Sequence, residues 1–332
     1  MSDEPKPVVA LLGPTAIGKT ALSLRIASRF HCEIISLDSM QVYRRLNIGT
    51  AKIGLKERQG IAHYCLDLVE PDQEYDAARY ARDAAAAMAE IRGRGKIPLL
   101  VGGAGLYLRA LEDGLFAAPP VDVDIRNKLH IQSDKEGIEK LHQLLAACDP
   151  ISAARIDRHD RSRVIRALEI YLATGQPWPE HLSRHRQKRQ SGALATAENR
   201  FIKIGLDGER HWLYERINER CRDMLAEGLI EETREALAAG YAPDCKALGA
   251  IGYRHVILWL RGEINYEKML EIFMRDTRRY AKRQLTWFRH DPAITWFNWQ
   301  DGEAVCNFIA KELAFSDMPI SGSASNSQVP PV

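Results

Sequence analysis

The sequence predicts an α/β protein, a parallel sheet flanked by helices, with an all-helical domain inserted into it. Three observations carry this prediction. Val8 to Leu12 is an unbroken apolar run, the pattern of a strand buried on both faces of a parallel sheet. Gly13, Pro14, Thr15, Ala16, Ile17, Gly18, Lys19 and Thr20 follow it, fitting Gly-x-x-x-x-Gly-Lys-[Ser/Thr], and Ala21 to Phe30 then has helical spacing with Leu22, Ile26 and Phe30 on one face. Strand, loop and helix in that order are the context a phosphate-binding P-loop requires, so the sheet is expected to be P-loop NTPase-like. Finally, strand patterns vanish between Val121 and about Asn199 and resume at Phe201 to Leu206, so the helical block reads as an insertion. The expected organisation is a first core part over 1–118, the insertion over 119–199, the rest of the core over 200–315 and a disordered Ser- and Pro-rich tail over 316–332.

The loop's chemistry is anion binding. Its glycines let backbone N–H groups close on a phosphate, and the helix N-terminus adds its positive dipole end. Lys19 offers a cation to the terminal phosphates, and Thr20 a hydroxyl to a Mg²⁺ ion. These residues imply a bound polyphosphate or diphosphate without saying which.

Glu33 to Leu37 is expected as the second strand, ending at Asp38-Ser39-Met40-Gln41-Val42-Tyr43. Ligands of open α/β sheets bind beyond the carboxyl ends of strands, which puts Asp38 near the P-loop. On position alone Asp38 is equally a turn or helix-cap residue. Asn47 to Lys52 reads as a polar turn, and Asp76 to Arg92 as a long helix closed at Gly93 and Gly95. Lys96 to Val101 is expected as the third buried strand. It leads into Gly102-Gly103-Ala104-Gly105, where tight helix–strand packing alone would account for the glycines.

In the insertion, helices are expected over Lys128–Ala147, Ile151–Arg155 and Arg161–Ala173, and His181 to Gln190 is a basic run typical of a solvated face or mobile loop. Glu209 to Ala239 is expected to be helical and carries Arg216 and Arg220 four residues apart, on one face. Lys246 to Arg254 reads as a loop. Tyr266 to His290 is a basic helix in which Arg275, Arg278, Arg279, Lys282 and Arg283 alternate with Tyr280, Trp287 and Phe288. Basic and aromatic residues mixed along one helix suit phosphate contacts with base stacking; a solvated amphipathic face is the other reading.

Composition narrows the class. A net charge of +2 over 332 residues leaves nucleic-acid binding to local basic patches. Six cysteines without C-x-x-C spacing argue against zinc or a disulfide framework and for reduced thiols in a cytoplasmic protein. The first seven residues have no apolar signal core, and no apolar run is long enough for a membrane span.

Five segments, in order, closely resemble the tRNA dimethylallyltransferases, also called tRNA isopentenyltransferases. They are the P-loop, Ile35 to Tyr43, Ile48 to Lys52, Gly102 to Tyr107 and Lys282-Arg283-Gln284-Leu285-Thr286-Trp287-Phe288-Arg289. The resemblance implies a monomeric Mg²⁺-dependent enzyme that moves a dimethylallyl group from dimethylallyl diphosphate to N6 of the adenosine 3′ to the anticodon. By this resemblance Asp38 is the general base and the P-loop holds the leaving diphosphate; Arg216 and Arg220 are candidates to clamp it from the helical side, because guanidinium forks match phosphate oxygens. Asp38, Ser39, Met40, Gln41, Ala104, Arg126, Arg163, Gly252, Tyr253, Arg254, Lys282, Arg283, Gln284, Thr286, Trp287 and Arg289 fall on the tRNA-contacting positions, and the insertion would grip the anticodon stem-loop with its adenosine-rich loop. Two positions depart from the family pattern. Ala104 stands where a Thr is common, and Ser162-Arg163 where Gln-Arg is common. The absence of a C-terminal Cys/His finger fits the bacterial type. A P-loop small-molecule kinase is the alternative enzyme; it explains residues 13–20 but neither Asp38–Tyr43 nor the basic helix. A non-enzymatic RNA-binding protein is less consistent with the intact Lys19, Thr20 and Asp38.

Overall fold

The computed structural model describes residues 6–114, 123–181, 183 and 199–316. Most of the basic run, residues 184–190, and all but the first residue of the expected tail lie outside them.

Six parallel strands form one sheet in the order β3-β2-β4-β1-β5-β6. They are β1 (Lys6–Leu12), β2 (Cys32–Leu37), β3 (His63–Tyr64), β4 (Ile97–Gly102), β5 (Asn199–Asp207) and β6 (Ile294–Asn298). The central strands are apolar because both faces are covered: Val8 to Leu12 and Ile34 to Leu37 are buried throughout. β1 pairs with β4 on one side, Leu12 opposite Gly102, and with β5 on the other, Leu12 opposite Gly205. The chain leaves β1 for the β2–β4 side and later returns to β5 on the opposite side, which makes the carboxyl end of β1 the switch point where a crevice opens.

The helices of this unit are α1 (Lys19–Arg29), α2 (Ala77–Gly93), α3 (Gly105–Asp113), then α8 (Arg210–Ala226), α9 (Leu229–Ala238), α10 (Tyr253–Leu260), α11 (Tyr266–Arg289) and α12 (Gly302–Ser316). Asp76 caps α2 by accepting from the Arg79 amide at 2.8 Å. The chain forms two compact units, Met1–Leu111 with Glu198–Val332, and Glu112–Ala197. The second contains α4 (Val123–Glu136), α5 (Ile138–Cys148), α6 (Pro150–Arg155) and α7 (Arg161–Thr174) around its own core of Leu129, Leu141, Leu145, Val164, Ile165 and Leu168. In it Glu169, 1% exposed, is neutralised by Arg126 at 2.8 Å and Arg166 at 3.0 Å.

Several elements differ from expectation. The helix expected over 128–147 breaks at Gly137 (φ 84°), and that over 209–239 at Gly228 (φ 107°). Both glycines sit at positive φ, where the helical run cannot continue. The loop expected over 246–254 is shorter, because Tyr253 already begins α10. The edge strand β6 and the closing helix α12 were not anticipated. β6 has mixed burial and only five residues, too few for an alternating pattern to stand out.

α11 crosses the second glycine turn so closely that side chains at 103 and 105 are excluded. A Cβ on Gly105 would lie 2.0 Å from Trp287 Cδ1, and one on Gly103 would lie 1.9 Å from Gln284 Nε2. The glycines of this turn are therefore the complement of Gln284 and Trp287. Gly105→Ala should destabilise the protein by about 1–3 kcal/mol, the usual cost of overpacking. The cost should shrink in a Trp287→Ala background, where the ring is gone. Thermal melts of the four proteins of this cycle check it; an equal cost in both backgrounds would contradict the packing argument.

Candidate functional site

Three strand ends build the site. From β1 comes the loop Gly13–Gly18, from β2 the turn starting at Asp38, and from β4 the turn Gly102–Gly105. One buried side chain joins the first and third. Gln284 of α11, 5% exposed, accepts from the Thr15 amide at 2.9 Å through Oε1 and donates to the Gly103 carbonyl at 3.2 Å through Nε2.

Within the loop, Lys19 folds back and donates to the carbonyls of Gly13 at 2.9 Å and Pro14 at 2.6 Å. Part of its surface opens to the crevice, yet desolvation by the surrounding protein, followed by repulsion from Arg220, lowers its ammonium to about 7 against the opposing pull of Asp38. Arg220 of α8 donates to Thr15 Oγ1 at 3.2 Å. Burial, in part offset by Asp38, also lowers its pKa. One turn earlier, the Arg216 guanidinium lies 5.0 Å over the ring of Trp212 and 5.7 Å over that of Trp299, the two indoles being stacked at 4.0 Å.

Asp38 is fixed through one oxygen. Oδ1 accepts from the amides of Met40 at 2.7 Å and Gln41 at 3.2 Å, and among the described residues Oδ2 makes no hydrogen bond. The Gln41 side chain is held in turn by Ser36 Oγ at 2.8 Å and by the carbonyls of Thr50 and Ala51 at 3.2 and 3.3 Å.

Two cavities meet here. The larger, about 440 Å³, is lined by Thr15 to Thr20, Gln41, Arg216, Arg220 and the glycine turn; the smaller, about 260 Å³, by Ser39, Met40, Ile217, Met224, Phe273, Arg254 and Arg283. Asp38, Thr15, Ala16, Thr50, Arg220 and Tyr280 line both. The larger also takes in Glu219 and Asp223. These were not anticipated, although each follows an arginine by three residues, Glu219 after Arg216 and Asp223 after Arg220, which was a readable signal of a shared face of α8.

The remaining expected site residues divide into exposed and internal ones. Lys282, Arg283, Thr286, Trp287 and Arg289 lie exposed along α11, with Arg109 stacked 4.9 Å over Trp287 and Arg289 paired with Asp207 at 2.6 Å. Arg254 is exposed and paired with Asp276 at 2.7 Å. Arg126 and Arg163 belong to the helical unit, where Arg163 pairs with Asp160 at 2.5 Å. Gly252, Tyr253 and Gln284, expected among the RNA-contacting residues, are buried: the Tyr253 hydroxyl donates to Glu232 at 2.6 Å, and Gln284, which also lines the larger cavity, bonds through its amide to the two glycine turns. Ala104 lines neither cavity, and its amide donates to the Leu37 carbonyl at 3.1 Å.

The donors suit a hard divalent cation that keeps most of its shell from ligand oxygens and water. Thr20 offers a hydroxyl, Asp38 a carboxylate in the same cavity, and among the described residues no group of three or more His, Cys, Asp or Glu forms an all-protein cage. The six cysteines are free thiols, and no helix among the described residues is long and apolar enough to cross a membrane.

A parallel sheet with a Gly-x-x-x-x-Gly-Lys-Thr loop between β1 and α1 defines a P-loop α/β protein. The family model described as IPP transferase matches residues 41–291, and one described as isopentenyl transferase matches residues 6–69. A tRNA dimethylallyltransferase of Desulfotalea psychrophila is 47% identical over 88% of this chain and 91% of its own length. The crystal structure of a tRNA isopentenylpyrophosphate transferase from Bacillus halodurans superposes with a TM-score of 0.69 at 38% identity, covering 94% of this chain and 98% of that one. A eukaryotic dimethylallyltransferase acting on tRNA gives 0.72 at 28% identity, over 96% and 81%. The chain belongs to the tRNA dimethylallyltransferase family of prenyl-transferring enzymes.

The lowered Lys19 has a binding consequence. Above about pH 7 its amine is largely neutral in the free protein, and an anion in the loop raises its pKa again. Diphosphate binding at pH 8 should therefore take up close to one proton, and affinity should fall up to about tenfold per pH unit above 7. Calorimetry in two buffers of different ionisation enthalpy measures the uptake, which Lys19→Met should abolish. A wild-type protein that binds diphosphate with no proton uptake at pH 8 would contradict the Lys19 environment described.

Proposed function

We propose that the protein transfers the dimethylallyl group of dimethylallyl diphosphate to N6 of the adenosine 3′ to the anticodon of tRNA, acting as a cytoplasmic monomer. The observation that carries this reading is the position of Asp38, whose carboxylate lines both the cavity of the phosphate loop and the neighbouring, more apolar one.

In this reading the P-loop holds the leaving diphosphate. The bond broken is carbon–oxygen, and negative charge grows on the departing group. Lys19, returned to its ammonium form by the anion, and the Arg216 and Arg220 guanidiniums oppose that charge. Mg²⁺ held by Thr20 would supply further neutralisation of the diphosphate oxygens. The exocyclic amine of adenine is a weak nucleophile because its lone pair is delocalised into the ring. As N6 forms its bond to the allylic carbon it becomes acidic, and Asp38 Oδ2, free of other hydrogen bonds among the described residues, accepts the proton. The amides of Met40 and Gln41 on Oδ1 orient the carboxylate for that task.

The base must leave its stack to reach such a pocket. Ser39, Met40, Arg254 and Arg283 at the second cavity, with Lys282, Thr286, Trp287 and Arg289 along α11, are assigned to the RNA around it. Arg126 and Arg163 of the helical unit are assigned to the anticodon stem-loop. No step consumes ATP, which separates this reading from a kinase.

The direct test is incubation with radiolabelled dimethylallyl diphosphate and unmodified tRNA, followed by nuclease mapping; label anywhere but the adenosine 3′ to the anticodon would contradict the proposal. Asp38→Ala should lose about 10²–10⁴-fold in turnover, with diphosphate affinity nearly intact. Wild-type turnover at saturating tRNA would remove Asp38 from the role of base. Lys282→Ala and Arg283→Ala should each weaken tRNA binding and reduce the log–log salt slope by about 0.7–0.9, the signature of one lost phosphate contact. Titrations at several salt concentrations read the slope, and no change in either variant would place α11 away from the RNA.

A further inference from the structure

We propose that Glu232 is a positioning residue for the transfer reaction, holding through one carboxylate the turn on which Gln41 and Asp38 depend. The inference rests on the proposed function, since it assigns a rate effect to that reaction.

Glu232 lies on α9, away from both cavities. Its carboxylate sits against three consecutive backbone amides. Oε2 accepts from Asn47 at 2.7 Å and Ile48 at 2.9 Å, and Oε1 from Ile48 and Gly49, each at 3.1 Å. Successive amides converging in this way form an anion-binding nest, and here the anion is built into the chain. Oε1 also accepts from the Tyr253 hydroxyl at 2.6 Å. The Tyr253 ring in turn lies on the turn so closely that a Cβ on residue 49 would be 2.4 Å from its Cζ. Bonds to a charged acceptor are stronger than neutral ones. The turn is thus clamped from its outer side by two side chains of neighbouring helices.

The inner side of the same turn faces the site. Its Thr50 and Ala51 carbonyls accept from Gln41 Nε2 at 3.2 and 3.3 Å, and the Gln41 amide donates to Asp38 Oδ1 at 3.2 Å. Thr50 also lines both cavities. A continuous set of hydrogen bonds therefore runs from Glu232 through the turn and Gln41 to the proposed base. The sheet core does not depend on it, because no strand hydrogen bond passes through Glu232. Releasing the clamp should loosen the turn and the base while leaving the P-loop, held separately by Gln284 and Arg220, in place.

Glu232→Gln and Tyr253→Phe in the full chain test this. The glutamine keeps the size but removes the charge and turns an NH₂ toward the amide donors; the phenylalanine deletes one hydroxyl. Amide exchange should accelerate over residues 47–51 and be unchanged in the P-loop. Single-turnover transfer at saturating tRNA and dimethylallyl diphosphate should fall by roughly 10²-fold for Glu232→Gln, the scale of a small misplacement at a reacting centre, and by about tenfold for Tyr253→Phe. The affinity for dimethylallyl diphosphate, read by calorimetry, should stay at the wild-type value. Unchanged exchange over 47–51 overturns the proposal, and so does a wild-type transfer rate in both variants. A loss of diphosphate affinity parallel to the loss of rate also overturns it, since that is what a general structural defect produces. A wild-type protein without transfer activity would refute the proposed function instead, and the exchange measurement would still decide for or against the clamp.

Discussion

The site depends on a single buried amide. Gln284 takes the Thr15 N–H on one side and gives its own N–H to Gly103 on the other, and so ties the carboxyl end of β1 to that of β4. A side-chain amide can accept through its oxygen and donate through its nitrogen from one fixed plane. A residue at 284 with a single polar character would leave a buried backbone group unpaired, at a cost of about 1–3 kcal/mol. The same contact explains why residue 103 has no side chain, since Gln284 Nε2 occupies the Cβ position. Two glycine-containing turns and a helix far along the chain are one packing unit.

Around that fixed frame the charges are deliberately unbalanced. Lys19 and Arg220 stand close enough that each is depressed by burial and the first also by the second, and Asp38 is the acidic group that opposes both shifts. A cleft holding two cations in a poorly solvated space is destabilised until an anion enters. In the proposed transfer that strain would be relieved when a diphosphate binds, most fully when charge on the leaving group is greatest. This is the sense in which a loop of ordinary P-loop sequence suits departure of a diphosphate as well as it suits holding a nucleotide.

Much of this was legible in the sequence. The unbroken apolar run before Gly13 and the helical spacing after it placed the P-loop on the switch strand, and the strand pattern of Glu33 to Leu37 placed Asp38 at its end. What could not be read was direction within α11 and the 246–254 segment. Gln284 and Tyr253 stand among basic and aromatic residues, and the family resemblance grouped them with the exposed Lys282, Arg283 and Trp287. Their burial is decided by what lies opposite, a glycine turn in one case and Gly49 in the other, and those contacts join positions far apart in sequence. Glu232 escaped for the same reason. On its helix it is one of three acidic residues, and only the fold brings the amides of Asn47 to Gly49 to it.

The two cavities also differ in a way that bears on the chemistry. The larger has the phosphate loop, hydroxyls, cations and the carboxylates of Glu219 and Asp223 in its wall; the smaller has Ile217, Met224 and Phe273 in its wall and arginines, Arg254 and Arg283, beside them. Apolar walls lower the local dielectric, and a given charge acts more strongly there than in water. A carboxylate at the junction is therefore exposed to two influences at once. Toward the P-loop it faces Lys19 and Arg220, and toward the second cavity it faces an apolar wall, where an incoming amine has few other proton acceptors. For the proposed transfer this separates the tasks. Charge stabilisation belongs to Lys19 and the arginines on the loop side and proton removal to Asp38 at the junction. Its attachment through Oδ1 alone fits that role, since two backbone donors orient the carboxylate while the second oxygen is left for the proton.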